Sequence, residues 1–281
     1  MKVKYFIAIL LCLFIAFISL GLYNGLRIQE YEVDAENIEN HIKIALITDL
    51  HSCSYGEDES ALIDLLDKES PDLVMLAGDI FDDVISNDNT VFFLENITKK
   101  YPCYYVTGNH EYWSGRSAFE EKMQILKNFG VIRLSAEMEI LTINNETINI
   151  CGVDDPDAAM IASRDRNYST LSFEEQIEKV KKLSDNANYT ILLSHRPEYL
   201  DRYVTEGFDL VLSGHAHGGQ WRIPGLVNGV YAPNQGWFPK YAGGKYIVDN
   251  TTMIVSRGLA KESTRIPRFY NRPEVVLIDL Y

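Results

Sequence analysis

Cysteine is scarce in this chain and is not arranged in pairs. Four of the 281 residues are cysteine, and no two of them have the Cys-x-x-Cys spacing typical of thiolate metal sites and redox motifs. A disulfide framework is therefore not indicated. One bond among Cys53, Cys103 and Cys151, with the third thiol left over, stays open from the sequence.

Basic residues are also fewer than acidic ones. Lysine and arginine number 26 against 40 aspartates and glutamates, which gives a formal net charge of −14. Proteins that bind a nucleic-acid backbone need clustered lysine and arginine, so we expect no nucleic-acid partner. A phosphate substrate is not excluded, because bound metal ions could supply the positive charge.

Internal repeats and low-complexity segments are absent, and one long apolar run stands near the N-terminus. Residues 5–23 contain no charged side chain. As a helix they would extend about 28 Å, close to the thickness of the hydrocarbon core of a bilayer. We therefore predict a transmembrane anchor over residues 1–24. An acidic linker over 25–41 and one folded α/β domain over 42–281 are predicted to follow it.

The flanks of the apolar run favour one orientation. Lys2 and Lys4 precede it, and acidic residues dominate after it. By the positive-inside rule the domain lies on the extracytoplasmic side of the cell membrane, on a single-pass anchor. The alternatives are a domain on the cytoplasmic face and a cleaved signal peptide, for which Ser19-Leu20-Gly21 is a weak cleavage site.

From residue 42 onward, apolar runs alternate with amphipathic segments, which predicts parallel βαβ units with right-handed crossovers. The predicted strands cover 42–48, 73–77, 103–107, 189–193, 208–212, 246–248, 253–255 and 275–279, with short antiparallel strands at 132–134, 139–143 and 147–152. Capping boxes at Ser117–Glu120 and Ser172–Glu175 predict two helix starts. Residues 154–170 are predicted as an irregular insertion and 222–246 as a loop.

Polar side chains collect just after the predicted strands, where parallel α/β sheets form their sites. They are Asp49, His51, Asp79, Asn109, His110, His195, His215 and His217. The chain has 6 histidines, and all but His41 belong to this set, a concentration that packing and solubility do not explain. His215 and His217 stand two apart, so in extended backbone both side chains point to the same side.

The types of donor indicate the kind of site. Carboxylates, imidazoles and an amide oxygen, with no thiolate, suit Mn²⁺, Fe or Zn²⁺. The set is too large for one ion, whereas two ions about 3.5–4 Å apart, bridged by a carboxylate, would use it for in-line displacement at phosphorus. We therefore predict two divalent metal ions, with Mn²⁺ as the first choice.

These residues fall into five blocks that resemble the signature of the calcineurin-like metallophosphoesterases, in order and spacing, over about residues 43–220. The blocks are Asp49-x-His51, Gly78-Asp79-x-x-Asp82, Gly108-Asn109-His110-Glu111, His195 and Gly214-His215-x-His217. The extension Gly218-Gly219-Gln220, the anchor and Ser256-Arg257-Gly258-Leu259 are similar to a membrane-associated bacterial branch. That branch includes phosphohydrolases and pyrophosphohydrolases acting on UDP-diacylglucosamine. Ala216 stands where the branch often has threonine, a position that is not a ligand.

The resemblance implies a four-layer α/β/β/α sandwich and a role for each matching residue. Asp49, His51, Asp79 and His217 would hold one ion. Asp79, as the bridge, Asn109, His195 and His215 would hold the other. A hydroxide bridging the ions would attack phosphorus, and His110 would protonate the leaving oxygen or stabilise its developing charge. Asp82 or Asp83 would orient a ligand histidine, and Glu111 would be structural.

The expected function is cleavage of a phosphodiester or pyrophosphate bond, in a lipid-linked or cell-envelope substrate. A broad phosphomonoesterase is the first alternative, and a non-catalytic protein-binding scaffold, which would usually have lost ligands, is the second. Four aromatic residues of the 222–246 loop either rim the site, touch lipid or pack the loop: Tyr231, Trp237, Phe238 and Tyr241.

Overall fold

The computed structural model describes residues 2–35, 37–261 and 266–281. Its elements, in chain order, are α1 (Lys2–Gly21), β1 (Arg27–Val33), β2 (Ile42–Ile47), α2 (Ser60–Glu69), β3 (Leu73–Ala77), α3 (Asp88–Ile97), β4 (Cys103–Val106), α4 (Asn109–Trp113), α5 (Arg116–Asn128), β5 (Ile132–Arg133), β6 (Glu137–Ile143), β7 (Glu146–Gly152), α6 (Ala158–Arg164), α7 (Phe173–Leu183), β8 (Tyr189–Leu193), α8 (Leu200–Glu206), β9 (Leu210–Ser213), β10 (Tyr231–Ala232), β11 (Gly236–Trp237), β12 (Gly244–Val248), β13 (Thr251–Val255) and β14 (Glu274–Leu280).

Two six-stranded sheets carry the fold. Their strand orders are β1-β14-β2-β3-β4-β5 and β12-β13-β9-β8-β7-β6. The pairs β2–β3, β3–β4, β7–β8 and β8–β9 are parallel, so the predicted βαβ organisation is confirmed.

Apolar side chains from both sheets meet in a shared core, which includes Leu46 of β2 and Leu193 of β8. Helices α2 and α3 cover the outer face of the first sheet with side chains such as Leu62 and Phe93. Helix α7 covers the outer face of the second sheet with Ile177. The layers therefore run α/β/β/α, as expected.

The segment predicted as an acidic linker contains a strand. Residues 27–33 form β1, which pairs in parallel with β14 along its whole length. Glu30 and Glu32 are exposed while Val33 is buried, the alternation of an edge strand with one face on the core. The charge of this segment reflects only its solvent side, which is why composition alone misread it.

Three local predictions were also wrong. Strand β5 pairs in parallel with β4 and is not part of an antiparallel set. Helix α5 starts at Arg116 after Gly115, so the Ser117 capping box does not open it. The insertion at 154–170 is not wholly irregular, because it contains α6.

Other local predictions hold. The Ser172 side chain accepts a hydrogen bond from the Glu175 backbone N–H at the start of α7, as the second capping box predicts. All four cysteines are free thiols. Among the described helices, one stretch, Val3–Gly21, is long and apolar enough to cross a membrane.

Candidate metal centre

The strand ends of both sheets meet at one edge of the sandwich. Asp49 and His51 follow β2, Asp79 follows β3, and Asn109 opens α4 directly after β4. From the second sheet, His195 follows β8, and both His215 and His217 follow β9. All seven are buried, with His217 the most exposed at 8%.

Within this edge the side chains form two sets that share Asp79. The donor atoms of Asp49, His51, Asp79 and His217 all lie within 4.8 Å of one another, and so do those of Asp79, His195 and His215. One Asp79 oxygen, Oδ2, lies 3.1 Å from Nε2 of His195 and 3.6 Å from Nε2 of His51. Asn109 lines the same cavity of about 150 Å³. The structure thus brings together all seven residues predicted as ligands.

The backbone at this edge is strained. Five of the seven residues have left-handed φ angles between 46° and 65°: Asp49, His51, Asp79, His215 and His217. Such angles cost roughly 1–3 kcal/mol each in non-glycine residues and persist where surrounding structure enforces them, most often at functional sites. One such restraint is the hydrogen bond from the His51 N–H to the Asp79 carbonyl at 2.9 Å. Another is Gly108, where any side chain would overlap the Asp79 carboxylate.

Electrostatics at the centre are dominated by the pairing of Asp79 with His195. Burial would raise the pKa of Asp79, but the imidazoles of His195, His110 and His51 hold it well below its usual value. Burial would lower the pKa of His195, but Asp79 and Asp49 raise it to about 10. The carboxylates of Asp79 and Asp49 therefore favour a positive charge beside them, either on the His195 ring or on a bound divalent cation.

The last two histidines show the opposite behaviour. Burial lowers the pKa of His215 well below its usual value, and the positive charges of His195 and Arg196 lower it further. Burial likewise lowers the pKa of His217, with His51 and Arg268 adding to the effect. Both rings are therefore neutral, the form in which imidazole binds a metal ion.

Several donor atoms at the centre are buried without a hydrogen-bond partner among the described residues. They are Nε2 of His51, Oδ1 of Asn109 and Nδ1 of His217. Buried polar atoms are nearly always satisfied in folded proteins, and a bound ion is one recognised explanation for exceptions. The unpartnered donor atoms and the Asp/His cluster around them therefore fit a bound metal ion.

Neighbouring groups fix the orientation of the ligand side chains. Oδ2 of Asp82 lies 3.1 Å from Nδ1 of His51, and the carbonyl of Ala77 lies 2.8 Å from Nδ1 of His195. Such contacts set which ring nitrogen faces the metal. Glu111 accepts backbone N–H groups from Asp79, Phe81 and Gly108 at 2.7–3.1 Å, so it joins two loops of the site.

His110 lies at the mouth of the cavity. Its side chain is 20% exposed, and its Nδ1 lies 2.6 Å from Oδ1 of Asp83. Its ring centroid is 4.3 Å from that of His51 and 4.5 Å from that of Trp113. His110 hydrogen-bonds to Asp83, whereas Oδ2 of Asp82 hydrogen-bonds to His51 and lies farther from Nδ1 of His110, at 3.7 Å.

Arg196 and Asn234 line the cavity, Asp155 binds Arg196 behind it, and the sequence analysis identified none of the three. The Arg196 guanidinium donates to both oxygens of Asp155, at 2.5 and 2.8 Å, and to the Asn234 side-chain oxygen at 2.6 Å. Asp155 follows β7 closely and Arg196 follows His195, so the strand-end rule could have found both. Asn234 lies in a tight turn between β10 and β11 that carries no such signal.

Comparison with known proteins decides the family. A family model described as "Calcineurin-like phosphoesterase" matches residues 42–219, well over half of the chain and all of the cluster described above. The chain belongs to the calcineurin-like phosphoesterase family. It is therefore a metal-dependent phosphoesterase, a hydrolase of phosphate esters, and the expected family membership is confirmed.

Two bacterial proteins are similar to this phosphoesterase. A protein of Aquifex aeolicus (strain VF5), described as an uncharacterized metallophosphoesterase, is 30% identical over 95% of this chain and 98% of its own length. A protein of Helicobacter pylori (strain J99) with the same description is 31% identical over 71% of this chain. The match spans about half of the Helicobacter pylori protein, 52% of its length.

Solved structures share the fold of this phosphoesterase. A dimetal phosphatase from Danio rerio aligns with a TM-score of 0.50 and 13% identity, over 78% of this chain and 88% of that one. The TT1561 protein of Thermus thermophilus aligns with a TM-score of 0.50 and 12% identity, over 79% and 92%. At these identities the likeness concerns the fold alone.

Proposed function

We propose that this phosphoesterase is a membrane-anchored hydrolase that uses two divalent metal ions, with Mn²⁺ as the first choice. Its proposed reaction is cleavage of a phosphodiester or pyrophosphate bond in a lipid-linked or cell-envelope substrate. The observation that carries the two-ion proposal is the position of Asp79. This one carboxylate belongs to two separate sets of donor atoms, each within 4.8 Å, which is the arrangement a bridging ligand requires.

The ligand roles follow the two sets. Asp49, His51, Asp79 and His217 would hold one ion, and Asp79, Asn109, His195 and His215 the other. When bound, such ions neutralise phosphate charge and lower the pKa of water. The chain's own contribution is to hold these donors rigidly, because the strained backbone and the hydrogen bonds to Asp82 and Ala77 leave the rings little freedom.

His110 is the proposed acid. Its ring lines the cavity and is bound through Nδ1 to Asp83 at 2.6 Å, so the carboxylate sets the orientation of the ring. From this position His110 would donate a proton to the leaving oxygen of the ester. Its backbone N–H also donates to Oδ1 of Asp79 at 2.9 Å, which fixes the position of His110 relative to the shared carboxylate.

Two features support a substrate at the membrane. Helix α1 is apolar over Val3–Gly21, and Lys2 and Lys4 before the apolar run favour an extracytoplasmic domain. The hairpin β10–β11 presents Tyr231 and Trp237 to solvent, 46% and 71% exposed, while Asn234 in its turn lines the metal cavity. An exposed aromatic surface beside the cavity fits a substrate with an apolar portion.

One observation favours the alternative, a broad phosphomonoesterase. The cavity beside the ligands measures about 150 Å³, which accommodates a phosphoryl group but little of what it is attached to. A diester or diphosphate would have to extend out of it, over Trp113 or along the β10–β11 hairpin.

A substrate screen separates these proposals. The full-length protein, loaded with Mn²⁺ in detergent, would be offered matched monoester, diester and nucleotide-sugar diphosphate substrates. We expect faster hydrolysis of the diester or the diphosphate than of the monoester. Preference for the monoester would replace the first proposal by the second, and no metal-dependent turnover of any of the three would refute both.

A further inference from the structure

The last turn of α1 packs against the folded domain. The Tyr270 backbone N–H donates to the Gly21 carbonyl at 2.6 Å, and the Tyr270 hydroxyl donates to the Phe17 carbonyl at 2.9 Å. The Phe269 ring lies 5.7 Å from the Phe17 ring and occupies the space that a side chain at Gly21 would need. This contact fixes the position of the domain along the axis of α1.

That position corresponds to a depth in a membrane. Helix α1 continues from Phe17 to Gly21, and at about 1.5 Å per residue Phe17 lies about 6 Å on the membrane side of Gly21. If α1 spans a bilayer, the domain residues that contact Phe17 must lie at the level of the lipid head groups or slightly deeper.

An exposed aromatic patch continues outward from this contact. We define the aromatic patch as Trp221, Tyr231, Trp237, Phe238 and Ile266, which are 48%, 46%, 71%, 70% and 54% exposed. The Trp221 ring lies 5.9 Å from the Phe269 ring, and an open groove of about 390 Å³ runs between Trp221, Tyr231, Trp237 and Ile266. Tryptophan and tyrosine at this depth are typical of membrane interfaces.

A basic cleft borders the same contact. We define the basic cleft as Arg27, Arg222 and Arg257, which line a cavity of about 500 Å³ together with Tyr270. The buried carboxylate of Glu274 lies 2.6 Å from Arg27 and 3.5 Å from Arg257, so one carboxylate pairs with two of the three guanidinium groups. In a chain whose net charge is −14, this local excess of positive charge favours an anionic partner.

We propose that the aromatic patch and the basic cleft together dock on the surface of an anionic phospholipid bilayer, the one that α1 enters. The rings would lie among the upper acyl chains, and the arginines would face the phosphates of the head groups. This proposal rests on the membrane anchoring proposed above. It adds a second attachment, which would fix the orientation of the domain relative to the membrane, whereas a single helix would leave the domain free to rotate.

Docking would bring the metal centre to the lipid surface. Asn271 donates from its Nδ2 to the His217 carbonyl at 2.7 Å and to the Gln220 carbonyl at 3.1 Å, and Trp221 follows Gln220 directly. A ligand of the proposed centre and a ring of the aromatic patch are therefore held in one short rigid segment. The substrate class that fits is a phosphate ester whose apolar portion stays in the bilayer.

Tryptophan quenching in vesicles tests the proposal on the full-length chain. The protein would be reconstituted into vesicles of phosphatidylethanolamine and phosphatidylglycerol, with and without brominated acyl chains, and vesicle flotation would be measured alongside. We expect brominated lipid to quench the wild-type emission and expect Trp221→Phe/Trp237→Phe to lose most of that quenching. Trp113→Phe is the matched control and should keep it, because Trp113 lies at the metal cavity.

The charged lipid gives a second reading. Replacing phosphatidylglycerol by phosphatidylcholine should reduce the quenching of the wild type, and Arg257→Gln should lose this lipid dependence. Lys99→Gln, an exposed position in the turn after α3, is the matched control and should retain it. The docking surface alone is refuted if the protein floats with the vesicles but its emission is not quenched. It is refuted likewise if the double variant is quenched as strongly as the wild type. A chain that does not float overturns the anchor as well, and neither result bears on hydrolysis, which the substrate screen measures separately.

Discussion

The side-chain oxygen of Asn234 lies 2.9 Å from Nε2 of His215, across the turn of the β10–β11 hairpin. The other ring nitrogen, Nδ1, faces the cluster, 3.2 Å from Nε2 of His195. For Nδ1 to offer a lone pair to a metal, Nε2 must carry the proton, and Asn234 is placed to accept it. Nη1 of Arg196 donates to the same oxygen at 2.6 Å and also lies 3.0 Å from Nε2. Without Asn234 this donor alone would face Nε2, which favours the tautomer that cannot present a lone pair on Nδ1 to a metal.

We therefore predict that Asn234→Ala weakens binding of Mn²⁺ by roughly 10- to 100-fold, the usual effect of losing a partner of a ligand histidine. Calorimetric titration of metal-free protein measures this without relying on activity. Asn234→Asp, which keeps an acceptor oxygen, is the control and should bind close to wild type. An unchanged affinity in the alanine variant would show that Asn234 does not set the His215 tautomer.

His110→Ala should keep its bound metal and lose turnover, by roughly 10²- to 10⁴-fold in kcat, the range for a lost general acid. Metal content by mass spectrometry and kcat on one substrate give the two readings. Asp79→Ala is the contrast, since removing the shared carboxylate should deplete the metal. If His110→Ala loses as much metal as Asp79→Ala, then His110 is a ligand and its assignment as the acid is wrong.

Glu111→Ala should lower the free energy of unfolding by about 2–5 kcal/mol, because three buried N–H groups would lose their acceptor. Burial raises the pKa of this carboxyl, while the hydrogen bonds from the Phe81 and Gly108 N–H groups lower it. Urea denaturation in detergent measures the loss. Glu120→Ala is the matched control: its exposed pair with Arg116 is worth well under about 1 kcal/mol. Equal losses in the two variants would contradict the role given to Glu111.

Removing residues 1–24 should release the domain from membranes and leave its chemistry intact. Strand β1 starts at Arg27, and every proposed ligand lies beyond it, so the cut spares both sheets. The truncated protein should stay in the supernatant and hydrolyse a small chromogenic phosphodiester in Mn²⁺. A soluble product that contains metal but is inactive would mean that α1 contributes to the site itself.

Protease added to intact cells should cleave the domain, because the two lysines before the apolar run favour the N-terminus inside. Immunoblotting with an antibody against residues of the domain follows the cleavage, and a cytoplasmic protein serves as the control for leakage. Full protection of the domain, with cleavage after the cells are lysed, would place it on the cytoplasmic face.

Much of the fold and of the cluster could be predicted from the sequence, for a physical reason. Parallel strands such as β3 are buried on both faces and are continuous in apolar residues, and their carboxyl ends meet at one edge, so the sequence pattern alone places a donor such as Asp79 there. The number of donors predicted two ions that share a carboxylate, the family resemblance indicated Asp79 as that carboxylate, and Asp79 belongs to both sets of donors in the structure.

What the sequence did not predict depends on contacts between distant segments. Strand β1 was missed because its partner β14 is remote and its solvent face is acidic. Asn234 was missed because a turn residue acquires its role only when the hairpin folds over His215. The basic cleft was also missed, since Arg27 and Arg257 come together only where both contact Glu274 at the start of β14.

That pairing has a further consequence for how the protein is made. Strand β14 comes after every other strand in the sequence, yet it lies between β1 and β2 in the finished sheet. While the ribosome is still synthesising residues 274–280, the sheet has a gap at this position, although α1 has already left the exit tunnel. The first sheet can close between β1 and β2 only after residues 274–280 have been synthesised, so its completion depends on a contact between strands that are far apart in the chain, the kind of contact that forms slowly.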